Sequence, residues 1–261
     1  GIHLNWPRNL QKYHSHDATL NSKNHLEDDL LELEAFFENS KSYFLVNTSK
    51  IDIRFQAMRG LFDGTKQLFI HANTTKEIKQ AVLFSKRMGI KKMVLVGAKE
   101  SWRLADFLAE NEVPVILNRI HRLPMHKSDA IDIAFKTPKI LLDAGVLFCL
   151  DYQGDMERMG SRNLPFTAGT TVAYGLTKEE ALMSITLNKA KVLGIDEKLG
   201  SLEAGKEATL FVSDGDALDM LTNRVSLAFI RGKKLDLSNH QTQLYQKYKE
   251  KHKRELNPHS N

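Results

Sequence analysis

The chain has 261 residues, of which 42% are hydrophobic, enough for an ordinary buried core in one large domain or two small ones; a disordered class is excluded. The single cysteine, Cys149, excludes an internal disulfide framework and leaves a cytoplasmic and a periplasmic location equally open. The net charge of +5 comes largely from the terminal run 247–254, which reads as a solvated helix face because no stacking aromatics or helix-turn-helix pattern accompany it. No nucleic-acid partner is therefore expected, and without a run of roughly 18 apolar residues no membrane span is expected either.

The start, Gly1-Ile2-His3, lacks an initiator Met and a signal-peptide pattern, and reads as a processing, cloning or fragment boundary. Residues 1–60 form a polar and helical segment. Its first part is rich in histidine, with His3, His14, His16 and His25. Residues 26–37 place Leu30, Leu31, Leu33, Phe36 and Phe37 on an amphipathic helix, with Glu27, Asp28 and Asp29 complementing the dipole of its first turn. A short strand is predicted at 42–47, then a second helix over 51–61 with Ile51, Phe55, Met58 and Leu61 inward.

From Gln67 the rhythm becomes strand, helix, strand. Residues 68–71, 92–96, 113–117 and 146–150 read as buried strands, with helices over 76–88 and 101–110. A long loop with His121, Arg122, His126 and Asp129 separates the third from the fourth strand. Strands alternating with helices at this spacing argue a parallel α/β sheet.

The most specific stretch is 163–214. Thr177 followed by Glu180 reads as a capping box that starts a helix at Lys178. Ala181, Leu182 and Ile185 continue it at helical spacing, and Gly194 is a natural C-terminal stop after Ala190, Val192 and Leu193. Beyond Gly200, Leu202, Ala208, Leu210 and Val212 alternate with polar residues as a half-buried strand does. In the tail, 241–254 predicts a helix anchored by Leu244, Tyr245 and Tyr248.

The order Gly-Leu-Thr, Glu-Ala-Leu, Ile-Thr-Leu-Asn, Ala-Lys-Val-Leu-Gly, then Gly-Ser-Leu-Glu-Ala-Gly-Lys-Glu-Ala-Thr-Leu, resembles the closing segment of the amidohydrolase superfamily, nearest the imidazolonepropionase-related branch. Glu207-Ala208-Thr209-Leu210 departs mildly from that family's usual Asp and Ala-Asp-Leu. The resemblance implies an α/β fold: the C-terminal half of a (β/α)8 TIM barrel followed by part of a small β-sandwich. The visible strands would be the fifth to eighth, in a partial barrel over 61–195, with the sandwich segment at 196–238 and a basic helix and tail at 239–261.

The resemblance also implies a site. Active residues of such barrels lie at the C-terminal strand ends. His71, in Phe-Ile-His-Ala-Asn, resembles the family's fifth-strand metal ligand; the plainer reading is a histidine satisfied by a backbone carbonyl. Asp151 is most similar to the eighth-strand Asp, both metal ligand and catalytic residue, although the match could slip to Asp155 and a surface loop Asp is the alternative. Gly97 stands where the family often has a second His, which argues against two metals. A single divalent ion, zinc by expectation, would then draw its remaining ligands from outside this chain. His14-Ser15-His16 mimics the family's first-strand His-x-His, but Asn9 to Tyr13 make no apolar strand, so the pair reads as a surface decoy. His121 and Arg162 are candidate substrate contacts, Arg162 for a carboxylate; Cys149 reads as core.

The expected function is metal-dependent hydrolysis of a C–N bond in a cyclic amide or small peptide, with a small-molecule substrate and a homo-oligomer left open. The alternative is a catalytically silent homologue acting as a binding or assembly partner.

Overall fold

The computed structural model describes residues 1–8, 18–45, 51–153 and 157–251, in two compact units, Gly1–Ser201 and Leu202–Asn261. No helix among the described residues is long and apolar enough to cross a membrane.

The first unit opens on a strand that was not among the expected ones. Strand β1 (Ile2–Asn5) lies parallel to β2 (Leu68–Ala72) and forms the edge of a five-stranded sheet, ordered β1 to β5, with β3 (Met93–Gly97), β4 (Val115–Leu117) and β5 (Phe148–Leu150). The four-strand expectation is thus corrected to five. Every pairing is parallel and follows chain order, so each crossover carries the chain over the same side of the sheet to the next strand.

Two helices separate β1 from β2. Helix α1 (Ala18–Tyr43) is longer than predicted and absorbs the start of the strand expected at 42–47; residues 44–45 form a turn, and 46–47 lie outside the described residues. Helix α2 (Ile53–Asp63) starts later than expected, because Asp52 accepts the Arg54 amide at 2.9 Å and caps it. Ile51 therefore falls outside the helix and is 78% exposed rather than inward. Phe36, Phe37 and Phe55 tie α1 and α2 together, and Phe37 meets Phe84 edge-on at 5.0 Å.

Helix α3 (Thr75–Met88) follows β2, begun by a complete Thr74/Glu77 capping box and ended at Gly89 in the left-handed region. After β3 comes a short 3-10 turn (Ser101–Leu104) and α4 (Ala105–Glu110). The long loop after β4 is shorter than expected, since its last third folds as α5 (Ile133–Asp143). Pro138 inside that helix had masked it, because proline removes an intrahelical donor. A 3-10 turn (Glu157–Asn163), α6 (Leu164–Val172), α7 (Lys178–Ile185) and α8 (Leu187–Leu193) complete the unit. The Thr177/Glu180 capping box and the left-handed Gly194 stop are both present.

Alternation along the strands sorts the sheet into two faces. Leu68, Ile70, Leu95, Val115, Leu117, Phe148 and Leu150 share one face and are fully buried or nearly so. On the other, Phe69, Val94, Val96 and Cys149 form an apolar cluster with Val192 of α8, and Ile116 packs against it. Cys149 is core, as expected, and burial pushes its thiol up to about 12. This second face also carries His3, Asn5, His71 and, past the end of β5, Asp151.

The second unit holds an antiparallel sheet of β6 (Leu210–Ser213), β7 (Val225–Ile230) and β8 (Lys233–Lys234). Arg231 and Gly232, at φ 50° and 75°, make the two-residue turn between β7 and β8. Leu202, predicted to alternate inward, is 83% exposed. Helix α9 (His240–Lys251) forms where a terminal helix was predicted, but Tyr245 and Tyr248 are 61% and 50% exposed and do not anchor it.

Candidate active site at the carboxyl ends of the strands

His71 is the fourth residue of β2, register-paired with Asn5 of β1 and Val96 of β3. Its Nε2 lies 2.9 Å from Nδ1 of His3, whose ring stacks on Phe69 with centroids 4.8 Å apart. A hydrogen bond between two imidazoles needs one donor and one lone pair, so both rings cannot carry two protons and keep it. Burial holds His71 below the ordinary histidine range, the neighbouring His3 adds to this, and the negative charge of Asp151 opposes it. The His71 cation is thus disfavoured, and its Nδ1 lone pair is free for a ligand in the tautomer that donates from Nε2 to His3.

Asp151 continues β5 by one residue, its amide donating to the Leu117 carbonyl at 2.9 Å. That bond carries the side chain to the His71 face, because Asp151 is two residues beyond Cys149. The pair sought from the sequence thus shares one face and is electrostatically coupled. Asp155, the alternative, lies outside the described residues, as do His14 and His16.

Gly97, beside Ala72 in register, has φ 93°, and a Cβ there would stand 2.7 Å from Asn73 Oδ1. Ala98 follows at φ 49°. The chain turns sharply here, with the Ala98 amide donating to Ala72 O at 2.8 Å and the Glu100 amide to Asn73 O at 3.0 Å. The position is thus closed to a side chain by backbone conformation as well as by contact.

His121 and Arg162 are not brought to His71 by any described contact. His121 Nε2 lies 3.0 Å from Thr170 Oγ1 on α6, and its ring lies 5.6 Å from that of Phe135 on α5. Thr170 spends its own proton on the Phe166 carbonyl at 3.0 Å, so its oxygen accepts from His121 Nε2–H and leaves the lone pair on Nδ1. Burial, then Arg119, lowers the His121 pKa. Arg162 is exposed in the last turn of the 3-10 helix before α6.

Two functional candidates were missed in the sequence. His3 was grouped with a polar leader, although Ile2, His3, Leu4, Asn5 and Trp6 alternate as a strand does. Glu100 was passed over because a lone acid after a strand carries no pattern. Its side chain is 5% exposed; it accepts from the Thr75 amide at 2.7 Å and Thr75 Oγ1 at 2.9 Å, and pairs with His126 Nε2 at 2.6 Å. Burial raises its pKa, and the hydrogen bonds from Thr75 and His126 together outweigh burial and hold it below the ordinary range.

Among the described residues, no group of three His, Cys, Asp or Glu side chains converges closely enough to hold a metal ion. His71 and Asp151 alone fall short of the three protein ligands a catalytic zinc takes, so these residues do not make a complete metal site.

These features define an α/β protein with a parallel sheet whose ionisable groups gather at the carboxyl ends of the strands. The chain belongs to the amidohydrolase family, whose model matches residues 65–235. It is 34% identical over 89 residues to an imidazolonepropionase of Thermoplasma volcanium, a match covering 33% of this chain and 22% of that protein. The imidazolonepropionase of Shewanella woodyi is 32% identical over 109 residues, covering 41% and 21% of the two chains. An amidohydrolase from Thermotoga maritima MSB8 shares the fold, with a TM-score of 0.74 and 21% identity over 90% of this chain and 62% of that one. The chain thus spans less than two thirds of that solved structure, and its matches span about a fifth of these curated relatives.

Proposed function

We propose that the chain is the C-terminal part of a hydrolase that cleaves a C–N bond in a small molecule, a cyclic amide or small peptide, with the imidazolonepropionase-like ring opening as its nearest model. The observation that carries the reading is the placement of His71 and Asp151 on one face, at the carboxyl ends of two parallel strands. Family membership supports hydrolysis.

In this reading a single divalent ion, zinc by expectation, would supply Lewis acidity when bound, with ligands beyond His71 and Asp151 coming from outside this chain. The chain's own contribution is narrower. Asp151, as a carboxylate, accepts a proton from the attacking water as its oxygen adds to the carbonyl carbon. The C–N bond then breaks and that proton passes to the departing nitrogen. His3 holds the His71 ring in one orientation through the bond between Nδ1 and Nε2.

Gly97 favours a second reading, a silent homologue that binds without turnover, since this strand end admits no imidazole. The two readings separate by expressing residues 1–261 beside the longer gene product and measuring zinc content and turnover on cyclic amides and small peptides. Turnover in the longer protein that is lost on Asp151→Asn supports hydrolysis. Retained turnover in that variant removes Asp151 from the reaction, and no turnover in the longer wild-type protein sinks hydrolysis.

A further inference from the structure

Alternation along β1 divides its side chains between the two faces of the sheet. Trp6, just past the strand, is 4% exposed and meets Phe84 of α3 edge-on at 5.4 Å, so Ile2, Leu4 and Trp6 belong to the face that α3 covers. His3 and Asn5 project from the other face. His3 stacks on Phe69, its register partner, with centroids 4.8 Å apart, so paired residues of β1 and β2 lie side by side there. Asn5 is paired in the same way with His71, and the Trp6 amide donates to the His71 carbonyl at 3.1 Å, which holds that register to the end of the strand.

His71 thus has one lateral neighbour on each side. Val96 is apolar and buried in the cluster with Val192, whereas Asn5 is exposed. Among the described residues no hydrogen bond engages the Asn5 carboxamide. A carboxamide sets an N–H donor and a carbonyl acceptor next to each other in one plane. A cyclic amide answers both at once, because its ring forces N–H and C=O onto the same edge. An open-chain amide is trans, with the two groups on opposite edges, and its cis form is strongly disfavoured. It satisfies only one of the two Asn5 groups at a time.

We infer that Asn5 is a specificity-determining residue that selects a cyclic amide at this site, Nδ2–H donating to the ring carbonyl while Oδ1 accepts from the ring N–H. The paired hydrogen bonds hold the ring one strand away from His71, at the roughly 4.8 Å spacing of neighbouring strands. Asn5 positions the ligand and takes no proton in the reaction. The link to a substrate rests on the hydrolytic reading above, and it decides between the two classes named there: the cyclic amide fits Asn5, and the open-chain peptide does not.

The test uses the longer gene product, 15N-labelled at asparagine, in which the side-chain signal lost in Asn5→Ala reports on Asn5 by NMR. The probes are 2-pyrrolidinone, with both groups on one edge, N-methyl-2-pyrrolidinone, which lacks the N–H, and N-methylacetamide, which is open-chain and trans. 2-Pyrrolidinone should shift the Asn5 signal and bind at least about fivefold more tightly than the other two, the worth of one net hydrogen bond. Asn5→Ala and the near-isosteric Asn5→Leu, checked for folding by circular dichroism, should lose that preference. On a cyclic amide that the enzyme hydrolyses, Asn5→Ala should raise KM by about the same factor with a smaller change in kcat. Equal affinity for 2-pyrrolidinone and N-methylacetamide, or a preference that both variants retain, overturns the inference. Ring preference without turnover leaves the role of Asn5 standing and sinks the hydrolytic reading. Turnover of a cyclic amide at unchanged KM in Asn5→Ala does the reverse.

Discussion

The ends of β2 and β3 lie side by side, Ala72 against Gly97, and they present opposite surfaces. At β2 the backbone stays extended through His71, so an imidazole projects from the sheet and meets His3. At β3 it turns through two left-handed residues, Gly97 and Ala98, and no side chain projects. Adjacent, parallel and equally apolar strands thus deliver one end that carries an imidazole and one end without. The difference lies in backbone conformation just past the strands, and hydrophobic pattern does not report it.

The strongest way to break this contrast is Gly97→His, which places an imidazole where the resemblance suggested one. It should destabilise the chain by roughly 2–4 kcal/mol, from left-handed strain together with the clash against Asn73, read by urea unfolding. Adding Asn73→Ala should recover the steric part and leave the strain. A Gly97→His variant as stable as the parent would show that the position is open after all.

A smaller loss is expected at the acid that secures the turn. Glu100→Gln keeps the shape but replaces a charge-assisted acceptor to Thr75 and His126, and should cost about 1–3 kcal/mol, with faster amide exchange at Thr75. The pH dependence follows in sign. A carboxyl held below its ordinary value of 4.5 contributes stability that is present above that value and lost as pH falls through its lower folded value. Wild type should therefore lose more stability than Glu100→Gln below about pH 4.5.

At β2 the effect is smaller and electrostatic. His71 should titrate below its ordinary 6.5 by proton NMR, since burial and His3 both disfavour its cation. His3→Ala should raise that midpoint, and Asp151→Asn should lower it further, because the carboxylate opposes the shift. The linked stability is full above pH 6.5 and declines as pH falls toward the folded value, where the unfolded chain takes up the proton more readily. A midpoint unmoved by Asp151→Asn would separate the two residues and remove the basis of the proposed site. The smallest effect belongs to α9, where Tyr245→Ser should change stability by no more than about 0.5 kcal/mol, given its 61% exposure.

Several features were legible in the residues alone because their causes are local. The Thr177/Glu180 capping box, the Gly194 stop and the buried strands around Ile70, Leu95 and Phe148 depend on neighbours within a few positions, and they form as read. His71 stood out as a polar residue near the end of an apolar run, and its proposed role came from the family resemblance. What only the tertiary structure decided depends on partners far along the chain. Strand β1 is a strand because β2, more than sixty residues later, supplies its hydrogen bonds, and an alternation this short decides nothing without that partner. Tyr245 and Tyr248 have helical spacing, but spacing alone supplies no surface to pack on. Asn5 and His71 lie far apart in the sequence, and the parallel register sets them side by side on one face, because the hydrogen bonds between strands decide which side chains become neighbours.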